Sequence, residues 1–329
     1  MKYERSWLVA LAMTGAMVLG LSGTSSANQD EMSSYTQPGA QLVLPYDTNE
    51  ERVTFLVASN ISGRQVSTHW VFWNEGCDEE VNFSICLTPN DTVVVDPSNM
   101  QAIGRDNEGI GPEISLTGVR GVATVVAYET DDECAAFTSS SSIADDAIVG
   151  SFTFADTVDG YSFGNDALAL GTIGGAVQVP EPDVGNDYEF VVQTFNPSTV
   201  EASLVVLTHL EEQASDGTVI PAKGQLRFST NFVDTTEIPT SLPDTTVSCT
   251  SFYSVAGGDN SLIPAATTVE TSGIIRLQPQ SGLTNGDDYL YGIVGQAVVA
   301  YGASSSVKVE EVPGSASPAF IDGMDNSLF

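Results

Sequence analysis

Short segments rich in Val, Thr and aromatic residues run through the sequence from Gly39 onward, and Asn, Asp, Gly and Pro separate them. The first residue types favour β-strands, and the separating residues favour turns. The chain beyond its N-terminus lacks a long stretch with the 3.6-residue apolar period of a helix. The sequence therefore predicts an all-β protein. Candidate strands in its first half are residues 41–44, 53–58, 66–73, 81–87, 92–95 and 119–128.

The candidate strand 66–73 divides its side chains between two faces, as a strand does. One face carries Val66, Thr68, Trp70 and Phe72, and the other carries Ser67, His69, Val71 and Trp73. Core packing is the expected role of these aromatic residues, although an exposed Trp could instead stack on a sugar ring. The segment 122–128 is apolar on both faces, which predicts a central strand that is buried on both sides.

A set of similar short segments occurs twice in the same order. The pairs are 42–45 with 177–180, 55–57 with 190–192, 66–73 with 200–207, 89–93 with 243–247, and 125–128 with 298–301. This order indicates a duplication. The spacing of strands and turns predicts two tandem antiparallel immunoglobulin-like β-sandwich domains. We expect a polar leader at 28–39, the first sandwich at 40–175 with an added hairpin from 148–155 and 161–163, the second sandwich at 176–312, and a flexible tail at 313–329.

The N-terminus has the layout of a secretory signal peptide. Lys2 and Arg5 precede an apolar run at residues 7–21, and Ser25-Ser26-Ala27 provides small residues for cleavage after Ala27. A membrane anchor is the alternative, but the apolar run is shorter than the roughly 20 residues that span a bilayer. We therefore expect residues 1–27 to be a signal peptide and the mature chain to lack a membrane span. The protein is then exported to the periplasm, the cell surface or the extracellular space.

The acidic balance of the chain limits its partners. The formal net charge is −33, from 43 acidic and 10 basic Lys or Arg residues. Such a charge repels nucleic acids and anionic lipids. Because the acids are scattered along the sequence, we attribute them mainly to hydration in salty surroundings. Intrinsic disorder is not expected, since 42% of the residues are apolar.

Residues 41–95 resemble a group of exported bacterial immunoglobulin-like β-sandwich proteins of unknown function. The features that carry the likeness are a strand ending in Asn (55–60), an aromatic strand, an acidic turn with one Cys (74–78) and the segment Leu87-Thr-Pro-Asn-Asp-Thr92. The resemblance implies an exported sandwich and implies no substrate.

The four cysteines, Cys77, Cys86, Cys134 and Cys249, predict disulfides in an exported protein. Zinc is the alternative, but the sequence has no Cys-x-x-Cys pair. Cys77 and Cys134 both follow an outgoing strand within an acidic turn. If those two strands run alike, the turns meet at one end of a sandwich, and this predicts a Cys77–Cys134 disulfide. Cys86 and Cys249 would then be buried thiols or a link between the two sandwiches.

Calcium is the metal that best suits the composition, because it takes oxygen ligands from loops. The candidate ligands are Glu129, Asp131, Asp132, Asp287 and Asp288, and none of their loops matches the twelve-residue calcium loop. Solvated acidic turns are the alternative. No other cofactor is expected.

Few residues of this sequence are candidates for catalysis. His69 and His209 lie in strand-like segments, and no Gly-x-Ser-x-Gly motif accompanies them, so we expect structural roles for both. We therefore expect a non-enzymatic protein of surface structure, adhesion or assembly, with a protein or glycan partner at the cell surface. The alternative is a carbohydrate-binding module or a glycoside hydrolase with an unrecognised carboxylate pair.

Overall fold

The described residues of the computed structural model contain strands and turns and no helix, which confirms the all-β prediction. They are residues 33–34, 38–49, 52–99, 101–103, 115–130, 141–157, 161–178, 190–194, 202–212, 217–256, 260–264, 273–279, 291–300 and 308–312. All of them belong to one contact unit, Glu31–Phe329, and the expected signal peptide lies outside the described residues. This part of the chain therefore offers no helix that could cross a bilayer.

Twenty-three strands follow one another along the described chain. They are β1 (Ser33–Ser34), β2 (Gln41–Asp47), β3 (Arg52–Asn60), β4 (Val66–Asn74), β5 (Glu79–Leu87), β6 (Thr92–Asp96), β7 (Gln101–Ile103), β8 (Arg120–Glu129), β9 (Ile148–Asp156), β10 (Tyr161–Asp166), β11 (Leu168–Leu170), β12 (Thr172–Ile173), β13 (Ala176–Val177), β14 (Phe190–Thr194), β15 (Ala202–Glu212), β16 (Val219–Pro221), β17 (Gln225–Asp234), β18 (Pro239–Ser248), β19 (Thr250–Ala256), β20 (Ser261–Ile263), β21 (Gly273–Pro279), β22 (Tyr291–Ala300) and β23 (Lys308–Val312).

The strands form four main sheets. Sheet 1 has the order β1-β11-β2-β8-β4-β5, and sheet 2 has the order β10-β9-β3-β6-β7. Sheet 3 has the order β14-β21-β17-β18, and sheet 4 has the order β20-β19-β15-β22-β23, with β16 paired to β15. β12 and β13 form a separate hairpin. The pairs are antiparallel apart from β19 with β20, which run parallel.

Sheets 1 and 2 share one apolar core. Leu42, Trp70 and Phe72 from sheet 1 and Leu56 and Phe152 from sheet 2 are all fully or almost fully buried in the same cluster. The alternation predicted for β4 is therefore confirmed for its core face. β8 is buried along almost its whole length on both faces, as predicted, because it lies between β2 and β4 in the middle of sheet 1.

The aromatic part of this core lies between β2, β4 and β5. The rings of Trp70 and Phe83 stack with their centroids 6.1 Å apart, and Tyr46 meets Phe72 edge-on at 5.4 Å. The indole N–H of Trp70 donates a hydrogen bond of 3.0 Å to Thr68 Oγ1, so the one polar atom of this buried side chain is satisfied.

Asn60, the last residue of β3, ties two connections together although its side chain is fully buried. Its Nδ2 donates to the carbonyls of Arg64, Leu87 and Thr88 at 2.7, 3.0 and 3.1 Å, and its Oδ1 accepts from the backbone N–H of Ser62 at 2.9 Å. One amide thus satisfies backbone groups of the β3–β4 and β5–β6 connections.

We expect Asn60→Ala to lower the free energy of unfolding by about 2 kcal/mol, because buried carbonyls would lose their donor. Urea denaturation of the purified chain measures this change. Ser59→Ala is the matched control, since the neighbouring Ser59 hydroxyl makes an exposed contact with Thr92. Equal costs for the two variants would contradict the role given to Asn60.

Only some of the segments that occur twice in the sequence pair with corresponding strands in the two halves. Val125–Tyr128 lies in β8, which pairs with β4, and Val298–Ala300 lies in β22, which pairs with the corresponding β15. By contrast, Thr92-Val93 pairs with β3, whereas Thr246-Val247 pairs with the preceding strand β17. The duplication and the domain boundary near residue 175 stay predictions.

Candidate functional site

The outer face of sheet 1 packs against residues from beyond position 175. We call this contact the junction. Its buried apolar cluster contains Ala40, Val43, Val122, Leu168 and Leu170 from one side and Val177, Leu210 and Val219 from the other. Trp73 and Ile143 are half-buried against it. The chain thus uses both faces of sheet 1 for packing, one toward sheet 2 and one toward the second half.

A buried glutamine adds directed hydrogen bonds to this apolar contact. Gln41 is fully buried, its Nε2 donates to the carbonyl of Val219 at 2.6 Å, and its Oε1 accepts the N–H of Val219 at 3.0 Å. The side-chain amide therefore pairs with the backbone as a neighbouring strand would. Because an unpaired buried amide is costly, this pair favours one register between the two halves.

The turn between β4 and β5 carries Cys77 to the edge of the junction. Asn74 Oδ1 accepts the N–H groups of Gly76 and Asp78 at 2.8 and 3.1 Å, and the N–H of Cys77 donates to the Asn74 carbonyl at 3.0 Å. Cys77 has φ 61°, the left-handed conformation that such a tight turn needs. Gly121 of β8 lies against the end of β4, where an added Cβ would collide with the Trp73 carbonyl.

Cys249 occupies the single-residue link between β18 and β19. Its backbone N–H donates to the Ala222 carbonyl at 2.9 Å, and its own carbonyl accepts the N–H of His209 at 2.7 Å. It forms a disulfide with Cys77 across a Cα–Cα distance of 5.3 Å, inside the usual range for a disulfide. Both half-cystines are almost completely buried. The disulfide joins residues 172 positions apart in sequence and closes the junction covalently.

The predicted Cys77–Cys134 disulfide is therefore wrong, and the direction of the strands explains why. β4 and β8 are antiparallel, so Asn74 at the end of β4 lies opposite Gly121, and Glu129 at the end of β8 lies opposite Val66. These two ends are about 27 Å apart at ~3.4 Å per residue. The short link from Glu129 to Cys134 spans at most about 18 Å. The two acidic turns thus follow opposite ends of the strand pair.

Cys86 is also disulfide-bonded. It lies opposite Ser67 on β4, and Ser67 in turn lies opposite Tyr128, so Cys86 sits near the end of β8 from which the chain leads to Cys134. Gln65 Nε2 is 2.8 Å from Cys86 Sγ. Cys134 itself lies outside the described residues. It is the cysteine that remains for Cys86 once Cys77 and Cys249 are joined.

Ion pairs border the disulfide. Arg120 Nε lies 2.8 Å from Glu75 Oε2, and its guanidinium lies 5.1 Å from the ring centroid of Phe252. Lys223 Nζ lies 2.8 Å from Asp78 Oδ1, but both side chains are more than two-thirds exposed. Exposed pairs of this kind contribute little to stability, so the covalent link and the apolar cluster dominate the junction.

The hydroxyl of Tyr46 donates to the Trp73 carbonyl at 3.1 Å beneath the same turn. Burial raises the pKa of Tyr46 well above its ordinary value, and the negative charges of Glu80 and Glu75 raise it further. The phenol is therefore a neutral hydrogen-bond donor at physiological pH. It supports the end of β4 and is unsuited to act as a proton acceptor there.

His209 of β15 lies behind Cys249, with its Nδ1 3.2 Å from the Gly224 carbonyl. Burial lowers the pKa of His209, and this effect outweighs the hydrogen bond to Gly224, which raises it. The folded state therefore favours the neutral imidazole. The structural role expected for His209 from the sequence stays a prediction.

We expect the free energy of unfolding to depend on pH through protonation of the His209 imidazole. Because its folded pKa lies below the unfolded value of about 6.5, the imidazole contributes stability that is complete above that pH and is lost as pH falls through the folded pKa. We expect the cost of His209→Gln to be largest near pH 7.5 and to shrink toward pH 5. Urea denaturation of both proteins across this range isolates the effect, since they share every carboxylate. A cost that grows as pH falls would contradict the assignment.

Of the five predicted calcium ligands, the structure describes one. Glu129 is exposed at the end of β8, and its Oε1 lies 2.7 Å from Arg64 Nη1. Asp131, Asp132, Asp287 and Asp288 lie outside the described residues. Across the ranges that the structure describes, no three His, Cys, Asp or Glu side chains gather as metal ligands. Calcium binding stays a prediction.

Comparison with known proteins identifies no family. No family model matches the chain, and no curated protein matches it. Among solved structures, the chain is similar to a protein from Parabacteroides distasonis described as a "putative secreted protein", with 10% identity, 89% of this chain and 85% of that chain covered, and a TM-score of 0.20. A likeness this distant carries no argument about function. The chain is an all-β protein of no identified family.

Proposed function

We propose that the chain is a non-enzymatic exported protein of surface structure, adhesion or assembly, composed of two tandem immunoglobulin-like sandwiches. The junction is the observation that carries the proposal. A disulfide, a buried apolar cluster and the paired hydrogen bonds of Gln41 hold two parts of the chain in one arrangement. Rigid coupling of this kind suits a protein that bears load or presents a fixed surface.

The disulfide also supports export. Disulfides persist in oxidising compartments outside the cytoplasm, and buried ones resist reduction there. The signal-peptide pattern at residues 1–27 supports the same location. Sugar binding through exposed tryptophan finds no support among the described residues, because Trp70 is fully buried and Trp73 is half-buried in the junction.

Antibody labelling of intact cells, together with adhesion measurements on a strain that lacks the protein, tests the proposal. We expect surface or periplasmic protein, impaired adhesion or envelope integrity without it, and recovery when the wild-type chain is restored. Purified chain should release no reducing sugar from a panel of polysaccharides. Retention in the cytoplasm, or polysaccharide hydrolysis, would contradict the proposal and favour the glycoside-hydrolase alternative.

A further inference from the structure

Three asparagines of the chain begin the sequence Asn-x-Ser/Thr, the acceptor motif for N-linked glycans in exported proteins. They are Asn60 (Asn-Ile-Ser), Asn82 (Asn-Phe-Ser) and Asn90 (Asn-Asp-Thr). The motif alone does not distinguish the three sites. Glycan transfer to a folded chain requires a side-chain amide that the transferase can reach, and the three asparagines differ in this respect.

Asn60 is unavailable to a transferase because its side chain is fully buried. Its Nδ2 already donates to three backbone carbonyls, and its Oδ1 accepts the backbone N–H of Ser62. A sugar on Nδ2 would displace these hydrogen bonds and force the amide out of the core. Modification of Asn60 would therefore require an unfolded chain.

Asn82 is exposed, but it lies in the middle of β5. It is paired with Val71 in the ladder between β4 and β5, and its Nδ2 donates to Glu79 Oε1. The hydroxyl that completes its motif belongs to half-buried Ser84, whose Oγ lies 3.3 Å from His69 Nδ1. Because acceptor sites lie on surface loops, a transferase would have to pull this strand from the sheet.

Asn90 lies in the turn between β5 and β6 and is exposed. The neighbouring Asp91 holds this turn: its Oδ2 accepts the backbone N–H and the hydroxyl of Thr88 at 3.3 and 3.1 Å, and its carbonyl accepts the N–H of Asn60 at 2.9 Å. Among the described residues, the side-chain amide of Asn90 has no hydrogen-bond partner. The turn therefore does not use this amide, which is accessible to an enzyme.

The hydroxyl of the Asn90 motif is also accessible. Thr92 is exposed at the start of β6, and its Oγ1 lies 2.7 Å from Ser59 Oγ in a contact that is itself exposed. The turn follows Leu87, at the end of β5 that is about 27 Å by strand geometry from Glu79, where β5 begins beside the junction. A glycan on Asn90 would thus leave the junction uncovered.

We propose that Asn90 is an N-glycosylation site, which accepts an oligosaccharide from a lipid pyrophosphate donor after export. Nδ2 of Asn90 attacks C1 of the first sugar, so that an N–C1 bond forms as the bond between C1 and the pyrophosphate oxygen breaks. The amide loses one proton to a base of the transferase, and the lipid pyrophosphate leaves with the bonding electrons. This inference goes beyond the structural role proposed above and requires only that the chain be exported.

Peptide mass spectrometry of the chain, purified from the envelope or medium of the cells that produce it, tests the site. Chymotrypsin cleaves after aromatic residues such as Phe83 and so separates Asn82 from Asn90. We expect a glycan on the peptide that contains Asn90, and none on the peptides that contain Asn60 and Asn82. Glu80 precedes Asn82 by two positions, so a transferase that selects an acidic residue there would favour Asn82 on sequence alone. A glycan on Asn82 and not on Asn90 would overturn the inference.

Substitutions at two positions separate the motif from the turn. Asn90→Gly removes the acceptor but keeps a residue that readily adopts the positive φ of this position, and Thr92→Ala removes the hydroxyl but keeps Asn90. Both variants should lose the glycan, whereas Thr92→Ser should retain it. Thermal unfolding checks that the variants are folded. A glycan that persists on Asn90 in the Thr92→Ala variant would contradict recognition through this motif.

The same digest distinguishes failed modification from failed export. The N-terminal peptide shows whether residues 1–27 have been removed. A chain that has lost these residues but carries an unmodified Asn90 would overturn the glycosylation site and leave the proposed export intact. A chain that retains them and carries no glycan would overturn both.

Discussion

Replacing Cys77 and Cys249 together by Ser should lower the free energy of unfolding by about 5 kcal/mol, the chain-entropy value for a closed loop of this length. The disulfide spans 172 residues, so its loss frees a large part of the unfolded chain. Domains typically have a free energy of unfolding of about 5–15 kcal/mol. We therefore expect the variant to be only marginally stable. Urea denaturation under non-reducing conditions measures the change.

Lys223→Gln is the control for this experiment. It removes the exposed ion pair with Asp78 at the same junction but leaves the disulfide in place. We expect it to cost less than about 0.5 kcal/mol. If the two variants cost nearly the same, the junction is not stabilised mainly by its covalent link.

Trp70→Ala should lower the free energy of unfolding by about 4 kcal/mol, because it leaves a large cavity in the core between sheets 1 and 2. Trp70 is fully buried and stacks on Phe83. Trp73→Ala is the matched variant on the opposite face of the same strand. Trp73 is half-buried, and its Nε1 donates to Thr124 Oγ1 at 3.1 Å.

We expect the Trp73 variant to cost roughly half as much, since less apolar surface leaves water on folding. Thermal and urea unfolding of both proteins provide the comparison. A larger cost at Trp73 than at Trp70 would mean that the two faces of β4 have been assigned the wrong way round.

Local sequence pattern predicted the parts of this fold that depend on neighbouring residues. The alternation in 66–73 identified the core face of β4, and the apolar run 122–128 identified a strand buried on both sides. The turn Thr88–Asp91 also follows from its own residues. Pro89 favours the second position of a turn, and Asn90 tolerates the positive φ of 63° at the third position. Such features require only the residues that form them.

The junction could not be predicted in this way. The pairing of Cys77 with Cys249 depends on β4 and β8 being antiparallel and on which residues cover the outer face of sheet 1. Neither follows from spacing along the chain. Gln41 offered a signal, because a glutamine stands between the apolar residues Ala40 and Leu42 where the buried strand β2 begins. A buried amide needs a partner, and here the partner is Val219, 178 residues away.

Non-reducing peptide mapping by mass spectrometry tests the junction most directly. The protein is digested without reduction, with free thiols blocked first to prevent exchange. The structure predicts one linked peptide pair that contains Cys77 and Cys249. Elimination among the four cysteines predicts a second pair that contains Cys86 and Cys134. A peptide that joins Cys77 to Cys134 or to Cys86 would contradict the strand arrangement and the clamped junction together.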